Sequence, residues 1–285
     1  MSSKIYFSNK TNARKPASYY LIKAVSSALH TISPRFALKQ TRKLLLTPAK
    51  SKRPPKQPHA ITHSRISSQI GQLALYRIGT GPKVILTHGW SGSAAQFFPL
   101  MEKIAQAGFE AVAFDHFAHG NSDEKRANLP LFIKGLAAVI YELKPQNIAC
   151  LVSHSMGAVA ALNQAKHFKH LLIAPAFNFY NSFEHSILST GLTRKLFTNL
   201  MSEIEQEHQV RFDDLLPEPH LAQTQDTVHI VHDSQDRFAQ YQFSAEQAKL
   251  YPHVTLTTTE GLGHGRVINS DHTWQAFMKL NNLAI

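Results

Sequence analysis

The chain has 285 residues, 43% of them hydrophobic, which suits one large α/β domain with an appendage. A formal net charge of +11 points toward nucleic acid only until it is located: fourteen of the thirty Lys and Arg residues lie in the first 65 positions, which hold no Asp or Glu. The remaining 16 basic and 19 acidic residues leave the body at −3, so no basic nucleic-acid face is expected there and the charge belongs to an arm.

In chain order, the first 16 residues are polar and basic and are expected to be disordered. Leu21, Ala24, Val25, Ala28, Leu29 and Ile32 then fall on one helical stripe, which Ser33-Pro34 ends. A second amphipathic piece carries Phe36, Leu38 and Leu44 to Leu46 beside Arg35, Lys39, Arg42 and Lys43. Pro48 to Pro58 reads as a linker, so residues 1–65 form a basic arm and 66–285 the body. The stripe admits two readings. It packs on the body or an identical partner, or residues 17–46 lie on an anionic membrane, where the cations beside Tyr19, Tyr20, Leu21 and Ile22 find use. An organellar targeting peptide is a third reading.

No apolar run approaches the roughly 20 residues that span a bilayer, and the start lacks the apolar core of a secretory signal. The single cysteine, Cys150, permits no intrachain disulfide. The cytoplasm is the default location, with peripheral membrane association as the second reading. The oligomeric state is not readable.

From Leu73 strands and helices alternate, the pattern of a parallel sheet wrapped by helices. Strands are expected at 73–78 and 84–88, joined by a hairpin-like turn at Gly79-Thr80-Gly81-Pro82, then at 110–115, 148–152, 170–174, 227–232 and 254–259. Helices are expected at 96–107, 129–143, from Met156 to about Phe168, at 244–250 and from about 270 to 280. Residues 176–225 break the alternation with Phe177, Phe179, Tyr180, Phe183 and a helix at 193–206, and read as a helical lid lining a substrate cavity.

The chemistry centres on Ser153-His154-Ser155-Met156-Gly157, where the apolar run 148–152 turns abruptly into the helix MGAVAAL. Such a turn lifts one hydroxyl out of a sheet beside the N–H groups of a helix start. A serine there is also an ordinary helix cap, and a nucleophile needs a base and an orienting anion from elsewhere. Two strand ends offer them: His232-Asp233-Ser234-Gln235-Asp236 and Gly261-Leu262-Gly263-His264-Gly265. His116-x-x-His119 lies on a loop without acidic or cysteine companions at ligand spacing, and His229-x-x-His232 lies on a strand, where a spacing of three puts the side chains on opposite faces, so no metal is expected. No phosphate-binding glycine loop follows a strand, so no nucleotide cofactor is indicated.

With His88-Gly89-Trp90 and Asp115 to Ser122, these segments fall in one order. From about Leu73 onward the chain resembles the α/β-hydrolase superfamily, with its serine esterases and lipases. The resemblance implies a mostly parallel sheet with helices on both faces, a helical lid and, here, a basic N-terminal helical arm. It implies Ser155 as nucleophile, His264 as general base and Asp236 as the orienting carboxylate, with Asp233 as the competing acid. The oxyanion hole would use the backbone N–H groups of Trp90 and Met156, and His88, Gly89, His154 and Phe177 are expected to border the substrate pocket. Departures are Ser153 at the first elbow glycine, expected to add strain, and Phe117-Ala118 where Pro-Gly is usual, expected to alter the path of that loop. The implied function is a cofactor-independent serine hydrolase of a small acyl ester, a carboxylic-ester hydrolase of class EC 3.1.1. The alternative is a non-catalytic protein of this fold whose arm binds a membrane or partner.

Overall fold

The computed structural model describes residues 15–49 and 57–283. Most of the first 16 residues, expected to be disordered, and most of the expected linker lie outside them. Eight strands form one sheet: β1 (Thr62–Ser67), β2 (Gln72–Ile78), β3 (Lys83–Thr87), β4 (Glu110–Phe114), β5 (Ile148–His154), β6 (His170–Ile173), β7 (Val228–Asp233) and β8 (Val254–Thr259). Their order across the sheet is β1-β2-β4-β3-β5-β6-β7-β8, with β1 and β2 antiparallel to their neighbours and the rest parallel.

Successive side chains of the central strands point to opposite faces, and both faces are buried. Ile85, Val112, Phe114 and Leu151 face one layer, where α4 (Leu129–Leu143) contributes Phe132, Leu136 and Val139. Val84, Leu86, Ala113, Cys150 and Val152 face the other, covered by α3 (Phe98–Gln106) and α11 (Asp271–Leu280) through Met101, Ile104 and Phe277. Burial of a ring such as Phe132, which is fully enclosed, is worth about 2–3 kcal/mol. Burial also pushes the Cys150 thiol up to about 12, an inert group.

Three expectations change. β2 and β3 are not a hairpin, because β4 lies between them, with Leu75 opposite Phe114 on one side and Leu86 opposite Ala113 on the other. The Gly-Pro turn reverses the chain without pairing its flanks. β1 was not expected: of its six residues only Ile66 is buried, since it is an edge strand and shows no apolar alternation. The elbow helix, α5 (Met156–Leu162), ends well before Phe168, where the Asn163 amide caps it by donating to the carbonyls of Val159 and Leu215.

The 176–225 excursion contains α6 (Phe179–Ser189), α7 (Arg194–His208) and α8 (Pro217–Ala222). Its rings turn inward: Phe179, Phe183, Phe197 and Phe212 join the α4 layer. The arm forms α1 (Ala17–Ile32) and α2 (Pro34–Leu46). α2 seats Ala37, Thr41, Leu45 and Leu46 against the molecule, and Arg42 pairs with Glu203 and Glu207 of α7. The α1 stripe does not pack on the body, because only Ser26 of that helix is buried. The two remaining helices are α9 (Tyr241–Leu250), flanking β7 and β8, and the single turn α10 (Gly263–Arg266).

Candidate active site

β5 ends at His154 and α5 begins at Met156, so Ser155 alone makes the turn, at φ 54° and ψ −121°. Non-glycine residues hold such a conformation only where the surroundings enforce it. They do so by close packing of α5 on β3: a Cβ at Gly157 would stand 2.6 Å from the carbonyl oxygens of Thr87 and His88, and one at Gly89 would stand 2.7 Å from Ser155 Cβ. The Ser155 side chain makes no capping hydrogen bond to α5, so it is not an ordinary helix cap. Ser153 is not in the left-handed region, so it adds no backbone strain. Its cost is a buried hydroxyl with no hydrogen-bond partner, about 1–3 kcal/mol.

The loop after β7 carries Asp236, the candidate acid. Asp236 Oδ1 accepts the N–H groups of Phe238 and Ala239 at 2.7 and 3.1 Å, and Oδ2 lies 2.7 Å from His264 Nδ1 and 3.3 Å from His232 Nε2. Burial alone would raise this carboxyl, but the hydrogen bonds from His232, His264 and Phe238 outweigh it and hold Asp236 well below the usual range. A carboxylate only accepts, so His264 Nδ1 carries the proton and the neutral ring keeps a lone pair on Nε2. Among the described residues no hydrogen bond links the Ser155 hydroxyl to His264, a contact that often tightens only with substrate bound.

Asp233 is committed elsewhere. Oδ1 accepts Gln235 N–H at 3.0 Å, and Oδ2 accepts the Thr259 hydroxyl and Leu262 N–H, both at 2.9 Å. It ties the acid loop to the histidine loop.

Met156 is the first residue of α5, so its N–H has no intrahelical acceptor. Trp90 follows Gly89 directly, and its ring stacks on Phe132 at 6.4 Å. His88 is wholly buried: its Nε2 accepts His116 N–H at 3.0 Å, and its Nδ1 donates toward the Gly89 carbonyl at 2.7 Å. Burial pushes this ring down to about 4, so it stays neutral. His119 Nε2 accepts Ser91 N–H at 3.0 Å and holds the far side of the Trp90 loop. His154 is also turned inward, with Nε2 donating to the His264 carbonyl at 3.0 Å. Phe177 is buried in a cluster with Leu162, Leu172 and Leu221 instead of lining an open surface.

Ala118, where a glycine is usual, takes φ 63°, so the loop keeps a glycine-like path at the cost of strain. Asp115 anchors it, accepting N–H groups from Ala94 and Asn121 at 2.8 and 2.9 Å. His232, His119 and His154 act here in ways the sequence did not disclose. Only the His232-x-x-x-Asp236 spacing hints at one of them. Beside His264 opens a cleft of about 390 Å³ bordered by Phe238, Leu262 and Arg266. Among the described residues no group of three or more His, Cys, Asp or Glu is arranged to hold a metal ion.

An eight-stranded sheet in this order, with a strained serine between β5 and its helix, defines an α/β-hydrolase. The chain belongs to the family described as serine aminopeptidase, S33, whose model matches residues 81–259, and is thus a hydrolase of that superfamily. No curated protein matches it. Similar solved structures include a membrane phospholipase A described as a bacterial virulence factor (TM-score 0.59, 13% identity, covering 93% of this chain and 97% of that one). Another is the esterase Pf2001 of Pyrococcus furiosus (0.57, 18%, covering 82% and 97%). A third is the thioesterase domain of the curacin biosynthetic pathway (0.56, 17%, covering 78% and 100%). At these identities the likeness is one of fold.

Proposed function

We propose that this chain is a serine hydrolase that cleaves an ester or related acyl bond through an acyl-enzyme on Ser155. The observation that carries the reading is the 2.7 Å contact of His264 Nδ1 with Asp236, with the His264 carbonyl bonded to His154, the residue next to a serine held at φ 54°. His264 Nε2 takes the Ser155 proton as Oγ attacks the acyl carbon. The oxyanion is received by the N–H groups of Met156 and Trp90. His264 then passes the proton to the departing alkoxide, and Ser155 keeps the acyl group. Water, deprotonated by the same nitrogen, attacks the ester, and the proton returns to Ser155 as the acid leaves.

Esterase and thioesterase neighbours favour a C–O or C–S acyl bond. An aminopeptide needs an anion for its ammonium group, and Asp233 and Asp236 both spend their oxygens on internal hydrogen bonds. Ser155→Ala and His264→Ala are expected to lower p-nitrophenyl ester turnover about 10⁴-fold or more, and Asp236→Asn about 10³-fold or more by freeing the wrong tautomer. Asp233→Asn is expected to cost less than about tenfold in rate but about 1–2 kcal/mol in stability. Labelling by a fluorophosphonate separates this reading from a non-catalytic protein of the same fold. A Ser155→Ala variant that labels or turns over as the native protein does would remove it.

A further inference from the structure

Among the described residues, seven of the nine large hydrophobic side chains that are strongly exposed lie on α1 and α2: Tyr20, Leu21, Ile22, Val25, Ile32, Phe36 and Leu44. Leu21 is 66% exposed and Ile32 81%. Scattered apolar exposure is ordinary, but a contiguous apolar face is not. Four of them, Leu21, Ile22, Val25 and Leu44, form one such face, since they line an apolar groove of about 360 Å³ between α1 and α2 that continues onto Leu192 and onto Leu196 of α7.

The charge beside this face is ordered. On α2, Phe36 and Leu44 share one exposed row, and Arg35, Lys39 and Lys43, at i, i+4 and i+8, form the row next to it, all three exposed. Among the described residues none of these three has an acidic partner, whereas Arg42, one row further round, is neutralised by Glu203 and Glu207. No acidic residue precedes Glu102, so the arm offers nothing to a cationic surface.

We propose that the α1–α2 hairpin docks the protein on a bilayer surface bearing anionic phospholipid, its apolar face entering the acyl boundary and the Arg35, Lys39 and Lys43 row meeting the phosphates. α1 has 16 residues, and no helix among the described residues is long and apolar enough to cross a membrane, so the contact is interfacial. A second copy fits less well: a two-fold pairing of this face would set one cationic row against the other. Nucleic acid has use for the cations but none for Leu21, Val25 and Ile32. The proposal does not depend on the assignment of Ser155.

Sedimentation of the full chain with vesicles of phosphatidylcholine, with and without phosphatidylglycerol, tests it. Binding is expected to require the anionic lipid, to weaken in high salt, and to be the same for Ser155→Ala. Reversal of the row (Arg35→Glu, Lys39→Glu, Lys43→Glu) is expected to weaken binding at least about a hundredfold. Leu21→Ser with Val25→Ser is expected to weaken it about tenfold or more. All five side chains are exposed, so the unfolding midpoint should hold; if reversal unfolds the chain, Gln at the same three positions tests the charge. Three outcomes would overturn the proposal: equal sedimentation of native protein and variants, a lipid-free dimer that both variants dissolve, or retention by duplex DNA without retention by vesicles.

Discussion

Ser155 shows how a residue of ordinary type acquires a special state. Its hydroxyl is unremarkable in isolation; its φ of 54° exists because Gly89 and Gly157 let β3 and α5 close on it. His154 next to it has a different task. Its ring lies 4.6 Å from that of His264 and donates to the His264 carbonyl, while Gln96 supports its other nitrogen at 3.4 Å. In the proposed mechanism it is a positioning residue. His154→Ala is expected to lower kcat for the ester about tenfold, roughly one hydrogen bond's worth, with KM little changed and His154→Gln partly restoring the rate. A purely structural role would instead lower the unfolding midpoint and leave kcat of the folded fraction alone.

At the scale of elements, local sequence located most strands and helices and missed relations between them. The helix expected at 193–206 is observed as α7, two residues longer at its end. It closes on Gln209, a left-handed residue at φ 54° whose N–H donates to Glu205 O, where glycine would carry no Cβ penalty. The Gln209 side chain is exposed, so Gln209→Gly gives up little. It is expected to stabilise the protein by about 1 kcal/mol, raising the thermal midpoint by about 2–4 °C; a lowered midpoint would contradict the cap assignment. α6 escaped notice because its aromatic residues look alike in a loop or a helix until Phe179 and Phe183 have a core to enter. β1 escaped because an edge strand need not alternate.

At the scale of the molecule, the sheet and its two helical layers enclose an unusual number of histidines. Burial pushes His88 and His170 down to about 4, and burial with the neighbouring His88 takes His119 to about 3. Each binds its proton less readily folded than unfolded, where the ring titrates near 6.5. Their stabilising contribution is therefore complete above about pH 7 and is lost as pH falls from about 6.5 toward 4, by up to about 1.4 kcal/mol per pH unit for each ring. Asp236, held low, adds a further loss only below about pH 4. Urea midpoints should fall steeply between about pH 6.5 and 5; a level midpoint across that range would show that these rings are not buried neutral.

The sequence by itself determined where the candidate residues Ser155, Asp236 and His264 fall, each in the turn or loop that follows a strand it predicts, and a strand's end is a local property. Only the tertiary structure decided which of two nearby acids meets the histidine, because Asp233 and Asp236 differ in what their oxygens touch rather than in type. The same holds for the arm. Its helical period is written in Leu21, Val25 and Ile32, but whether that face is covered depends on the surface that Ser26 and Gly191 bring together, where the Gly191 backbone leaves no room for a side chain beside Tyr19 O. Periodicity fixes which residues share a face; desolvation and contact, which join residues far apart in sequence, fix what that face meets.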